Sequence, residues 1–370
     1  MFRAFFLITL VSASLAAADL NEIESRAAAL KSKRDAAGAL AAYQEAAEQD
    51  PKSARYQDEI GFLLAVLKRS DESIEHFRRA IQLDPQFAPA QFHWGVALCL
   101  TQDTAGGAPH LKAAVELDPN NEIYRMKLGA ALQDTGDFPG ALDAYRHAVD
   151  LAPGDPNARM GLGMMLVSTR RADEGIAQFE KVLAADPSNN IARMNIGFAH
   201  LQKLELDQAV ALFHDVLARD PGNAPAHYNL GVALKDQDKV EAAQAEFLKA
   251  LEADPKLAEA RYMLGTTYWQ SGDFDAAAQQ MRAAIALRPD YSEAYFMLGT
   301  ALKQKGEVAP AEEALRTAIR LDPENPGAFN TLGQILRQKG DIEGSRKMFA
   351  EGARVKKEKE DELGVMLERK

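Results

Sequence analysis

The side chains most able to bind a metal or attack a substrate are seven histidines and one cysteine: His76, His93, His110, His147, His200, His214, His227 and Cys99. Zinc chemistry needs ligands on one face, as in a His-Glu-x-x-His helix, and no such pair occurs. No histidine has a partner at a helical spacing, together with a carboxylate, that reads as a zinc site. There is no glycine-rich phosphate loop, and no Gly-x-Ser-x-Gly elbow presents a serine. Carboxylates are abundant, but on helix faces their usual role is solvation. His200 reads as a polar residue tolerated in a packed site, and His227, near a helix start, as a surface residue. Cys99 reads as a small, partly buried apolar side chain, with an intermolecular disulfide as the alternative. The residues therefore predict no enzyme activity, no metal site and no cofactor.

What recurs is a spacing. Pro51, Pro85, Pro119, Pro153, Pro187, Pro221, Pro255, Pro289 and Pro323 lie 34 residues apart, with nothing inserted or lost. A fixed period of this size marks stacked repeats. With proline at position 32 of the unit, position 8 is glycine from Gly61 to Gly333. Glycine inside a helix costs about 1 kcal/mol against alanine, so it implies close approach of a neighbouring helix. Positions 7 and 11 hold apolar residues such as Leu128 and Leu132, one helical turn apart. Position 20 is small, as in Ala141, and position 24 is large and apolar, as in Phe179 and Phe213. Turns such as Thr135-Gly136-Asp137 and Ser271-Gly272-Asp273 end one helix and cap the next. The proline then stops the second helix.

This pattern at positions 7, 8, 11, 20, 24, 27 and 32 resembles the tetratricopeptide repeat family. The resemblance spans residues 20–359, with units starting near 20, 54, 88, 122, 156, 190, 224, 258, 292 and 326. It implies an all-α fold: a right-handed superhelical solenoid of about ten helix-turn-helix units. The first unit departs with Ala27 at position 8, and the last with Lys357 in place of proline. Residues 104–109, Thr-Ala-Gly-Gly-Ala-Pro, replace good helix formers in the third unit. They predict a second helix that starts late and forms the most flexible joint.

The resemblance also implies a concave groove lined by positions 2, 5, 9, 12 and 13 of the first helices. Position 5 then supplies Phe92, Met126, Met160, Met194, Tyr228, Tyr262, Phe296 and Asn330. Position 9 supplies Phe62, Met164 and Phe198, and position 12 Lys235, Trp269, Lys303 and Arg337. Position 13 ends in Gln270, Gln304 and Gln338. The groove would be apolar over its first two-thirds, then aromatic, amide-rich and cationic. The apolar stretch suits an apolar segment or the apolar face of a partner helix. The polar end suits an extended, acidic or carboxylate-ended segment. Equally, the methionines could seal the seam between neighbouring first helices, and the glutamines could be a solvated face. The Lys and Asn that bind heat-shock chaperones at positions 5 and 9 are absent, and a position-6 asparagine ladder has only Asn195 and Asn229.

The expected function is a non-catalytic scaffold that binds partner proteins and assists assembly of an envelope, secretion or export complex. The alternative is a saccharide-binding adaptor that stacks sugars on Tyr228, Tyr262, Phe296 and Trp269. The net charge of −11, without a block of like charge, argues against nucleic acid. Residues 1–18 read as a signal peptide: Met1-Phe2-Arg3, an apolar run from Ala4 to Val11, and Ala16-Ala17-Ala18 before Asp19. That predicts export, to the periplasm if the source is bacterial, and no membrane span after cleavage. Residues 19–359 form the solenoid. Residues 360–370 form the charged end of a capping helix, with Gly364 as a candidate break.

Overall fold

The computed structural model describes residues 20–368; the signal segment expected at 1–18 lies outside them. Two compact units divide the chain between Pro187 and Ser188. The first contains α1 (20–32), α2 (Ala36–Gln49), α3 (Ala54–Val66), α4 (Ser70–Leu83) and α5 (Ala88–Leu100). It continues with α6 (Thr104–Leu117), α7 (Glu122–Asp134), α8 (Phe138–Leu151), α9 (Pro156–Ser168) and α10 (Ala172–Ala185). The second begins with α11 (Asn190–Gln202), α12 (Leu206–Arg219), α13 (Ala224–Asp236), α14 (Val240–Ala253) and α15 (Ala258–Gln270). It ends with α16 (Phe274–Leu287), α17 (Ser292–Gln304), α18 (Val308–Leu321), α19 (Pro326–Gln338) and α20 (Ile342–Glu368). Among the described residues there is no strand.

Each turn between the paired helices is built the same way. Position 15 is left-handed in all ten turns: Gly136, Gly272, Gly306 and Gly340 at φ 78–84°, and Arg34, Lys68, Gln102, Arg170, Leu204 and Asp238 at φ 59–67°. Glycine takes this conformation without strain, whereas side chains resist it. The next residue caps the second helix. Asp35, Asp103, Asp137, Asp273 and Asp341 each accept the backbone N–H three residues on, at 2.8–3.0 Å. Arg69 and Arg171 occupy the same place without a capping bond, and instead grip Glu72 and Glu174 through two hydrogen bonds each.

The position-8 glycine meets the large residue at position 24 of its own repeat. A Cβ on Gly163 would lie 2.5 Å from the Phe179 ring, and one on Gly231 2.7 Å from Phe247. That approach lets Phe77, Phe179, Phe213 and Phe247 reach 0–1% exposure, and it is the close packing that the sequence predicts. From α3 on, and within each unit, every first helix packs on its own second helix and on the next first helix. No second helix packs on another there. A stack that touches on one side and splays on the other is curved. The first helices therefore form the inner layer of each unit and the second helices the outer layer.

Two expectations fail here. The helix α6 does not start late: Thr104 begins it in register, capped by Asp103. Weak helix propensity is overridden by packing, because Gly107 faces Gly95 so closely that a Cβ would sit 2.6 Å from the Gly95 carbonyl oxygen. Nor does Gly364 break the last helix, since α20 runs unbroken to Glu368.

Candidate interaction site

Exposure separates the groove positions. At position 5, Phe92, Met126, Met160, Met194, Tyr228, Tyr262 and Phe296 are half-buried, and only Asn330 is fully open. In unit 1 Phe92 packs on the core and stacks on Tyr124 at 4.5 Å. In unit 2 Met194 and Tyr228 lean on one core cluster, and Tyr262, Trp269 and Phe296 on another. Position 9 is more open: Phe62 and Met164 are 36% exposed and Phe198 42%. Position 5 is therefore a half-buried wall, whereas position 9 is open at Phe62, Met164 and Phe198 and half-buried at Val96, Ala130, Val232, Thr266 and Thr300.

Among the described residues, seven exposed large apolar residues lie within first helices, and all seven are at positions 2, 9 or 13. Unit 1 contributes Phe62, Val66, Leu100, Ile123 and Met164; unit 2 contributes Ile191 and Phe198. In α11 all four of positions 2, 5, 9 and 12 are large and apolar: Ile191, Met194, Phe198 and Leu201. Their 3-4-3 spacing makes one seam along the helix.

The polar end of unit 2 is partly bonded within itself. Lys303 donates to Gln334 Oε1, and Gln270 donates to Asp238 at 3.2 Å. Lys235 reaches Asp236 at 3.5 Å. Gln304, Arg337 and Gln338 are exposed.

Below the groove in unit 1, Asp58 is 4% exposed and lies 2.8 Å from His93 Nδ1. Burial pushes its carboxyl up, opposed by the hydrogen bond from His93. His227 is not a surface residue: it is 8% exposed, with Nδ1 2.6 Å from Glu246 and Nε2 3.0 Å from the Pro221 carbonyl. Its partner lies on the second helix, 19 residues away, which sequence spacing does not reveal. Burial alone would raise Glu246, but hydrogen bonds from Lys249 and His227 hold it below the usual range. His200 is likewise tied to Glu205, at 2.6 Å, and His147 to Asp143, at 3.3 Å. Among the described residues, no three His, Cys, Asp or Glu converge as metal ligands.

His227 stands at position 4, whose role the sequence did not show. There Arg125, Arg159 and Arg261 donate to the carbonyls of Pro119, Pro153 and Pro255, six residues back, at 2.6–2.9 Å. In these four repeats the position-4 side chain thus clamps the inter-repeat turn shut. A basic residue six places after the periodic proline is the signal that could have found it.

A cleft also opens on the outer layer of unit 1, between the splayed helices α8 and α10. Its volume is about 410 Å³, with Leu162 and Leu166 on the floor and Arg146, Asp150 and Lys181 among its other lining residues.

A tetratricopeptide repeat model matches residues 25–88, 101–156, 126–190, 262–326 and 297–357, and a second such model matches 200–266. The chain belongs to the tetratricopeptide repeat family. Among solved structures, a tetratricopeptide repeat protein from Parabacteroides merdae is 13% identical, with 67% of this chain and 98% of that one covered and a TM-score of 0.61. Yeast Tom70 is 16% identical over 94% of each chain, with a TM-score of 0.51. MamA from Desulfovibrio magneticus is 22% identical over 46% of this chain and 97% of that one, with a TM-score of 0.44. No curated protein matched by sequence. Tetratricopeptide repeats are protein-interaction scaffolds and generally lack catalytic activity. Among the described residues, no helix is long and apolar enough to cross a membrane.

Proposed function

We propose that the chain is a non-catalytic scaffold whose inner, first-helix faces hold segments of partner proteins. One observation carries this reading: among the described residues, every exposed large apolar residue within a first helix sits at position 2, 9 or 13. Apolar side chains left in water in such register mark a surface meant to be covered. Methionine and phenylalanine supply adaptable contact area there. The seam on α11 suits the apolar face of a partner helix.

A saccharide would need open ring faces. Tyr228, Tyr262, Trp269 and Phe296 are half-buried against the core of unit 2, which favours the protein partner. The finer reading is an exported scaffold, periplasmic if bacterial, that assists assembly of an envelope, secretion or export complex. It rests on the charge, apolar run and small-residue site in residues 1–18. Sequencing the N-terminus of the protein recovered from its source checks it, since a chain that still starts at Met1 would remove the argument for export.

The scaffold reading is tested by capture from the native compartment, comparing wild type with a Phe62→Lys, Met164→Lys variant. Both residues are exposed, so circular dichroism should show an unchanged fold. Specific proteins lost from the variant's catch support the face. An unchanged catch refutes it.

A further inference from the structure

In unit 2, each second helix before the last is covered by the first helix of the next repeat: α12 by α13, α14 by α15, α16 by α17 and α18 by α19. After α20 the pattern stops. Lys357 stands where the proline would be, and the helix runs on to Glu368 instead of turning. Among the described residues, nothing packs where an eleventh first helix would lie. The side chains register this. Phe213, Phe247, Met281 and Leu315, at position 24, are all 0% exposed, whereas Phe349 at that position is only half-buried. Ile342 is 49% exposed. Beside them is a cleft of about 320 Å³ lined by Arg337, Ile342, Ser345, Arg346 and Phe349. Glu343, also on the first turn of α20, does not line it.

We propose that this end face is a docking slot for one amphipathic helix of a partner protein, carrying an acidic residue opposite Arg337. The filled junction next to it supplies the rule. There Lys303, at position 12 of α17, donates to Gln334, at position 9 of the following first helix. Arg337 is the position-12 residue of α19, so the position-9 residue of an incoming helix would meet it. Arg346 adds a second positive charge to the cleft, and the lining contains no acid. The acceptor best matched to two guanidinium groups is a carboxylate. This chain cannot supply it from its own repeats: position 9 runs Ala28, Phe62, Val96, Ala130, Met164, Phe198, Val232, Thr266, Thr300 and Gln334. Two copies meeting end face to end face would set arginines against arginines. Charge therefore selects a partner helix over a second copy.

The probe is a fluorescent peptide spanning residues 291–305, the α17 sequence, whose Ala294, Leu298, Ala301 and Leu302 already form a buried docking face. It is made with Thr300→Glu and with Thr300→Lys, and each is titrated with the full chain. The Glu peptide should bind about tenfold tighter than the Lys peptide, and the order should reverse on an Arg337→Glu chain. Ile342→Asp, at an exposed site, should abolish binding of both while leaving the circular dichroism unchanged. The proposal is overturned if neither peptide saturates, if both bind alike, or if Ile342→Asp changes nothing. It is also overturned if the chain sediments as a dimer that Ile342→Asp dissociates, since a second copy would then fill the slot.

Discussion

Arg159 donates twice to the carbonyl oxygen of Pro153, from Nε at 2.9 Å and from Nη2 at 2.6 Å. Its Nη1 also reaches Gln178 at 3.0 Å. One planar fork thus ties the inter-repeat turn to the start of α9 and to α10. Arg159→Leu should cost about 1–2 kcal/mol, and Arg159→Lys should not restore it, because an ammonium lacks the fork. Repeat proteins need not unfold in one step. Amide exchange over residues 153–162 is therefore the sharper readout, and unchanged protection there would contradict the clamp.

Pro109 lies inside α6, at its sixth residue, and is exposed. It cannot donate to the carbonyl four residues back, and its ring crowds that carbonyl. Pro109→Ala should stabilise the protein by about 1–3 kcal/mol. The gain should appear as a higher melting temperature and slower exchange over residues 104–110. An unaltered melting temperature would mean that the helix has already relaxed around the ring.

Leu204 holds φ at 59° in a turn where four repeats use glycine, and 73% of it is exposed. Leu204→Gly removes the strain and gives up almost no burial, so it should add about 0.5–1 kcal/mol. The urea midpoint checks this. A loss of stability would show that the leucine packs more than its exposure suggests.

His76 and His110 occupy the same position in successive repeats. Their Nδ1 atoms lie 2.8 Å from the side-chain oxygens of Gln57 and Gln91. Burial lowers the pKa of both, and Arg79 adds to the effect at His76. A folded-state value below the unfolded one means that the unfolded chain binds more protons. This contribution to stability is complete above the unfolded value of about 6.5 and is lost as pH falls through the folded one. The urea midpoint should fall between about pH 7.5 and about pH 5.5, and His76→Asn with His110→Asn should flatten that slope. An equal slope in the double variant would assign it to other groups.

The helical register was legible because it is written in spacing. Gly163 and Phe179 are 16 residues apart in every copy of the motif, so their contact follows once two helices are read. Position 4 was obscured because its identity varies, from Gln57 through Arg159 and His227 to Phe329, and the contact with the proline carbonyl is made by Arg125, Arg159, His227 and Arg261. The start of α6 was misread because propensity weighs Gly106 and Gly107 locally, whereas the contact with Gly95 that places them is tertiary. Among the groove residues, sequence could name the face. It could not separate the half-buried Met160 from the exposed Met164, since both lie on it.

The joint between Gly231 and Phe247 is reproduced between Gly299 and Leu315, two periods later. Each joint is complete within its own repeat. In genetic terms, an in-frame loss or duplication of one period inside unit 2 removes or adds one whole joint and leaves every other joint chemically unchanged, because none of them crosses a repeat boundary. Length in this molecule is therefore counted in whole joints, like notches on a ruler, and a step of one period alters which repeats are neighbours without altering any joint.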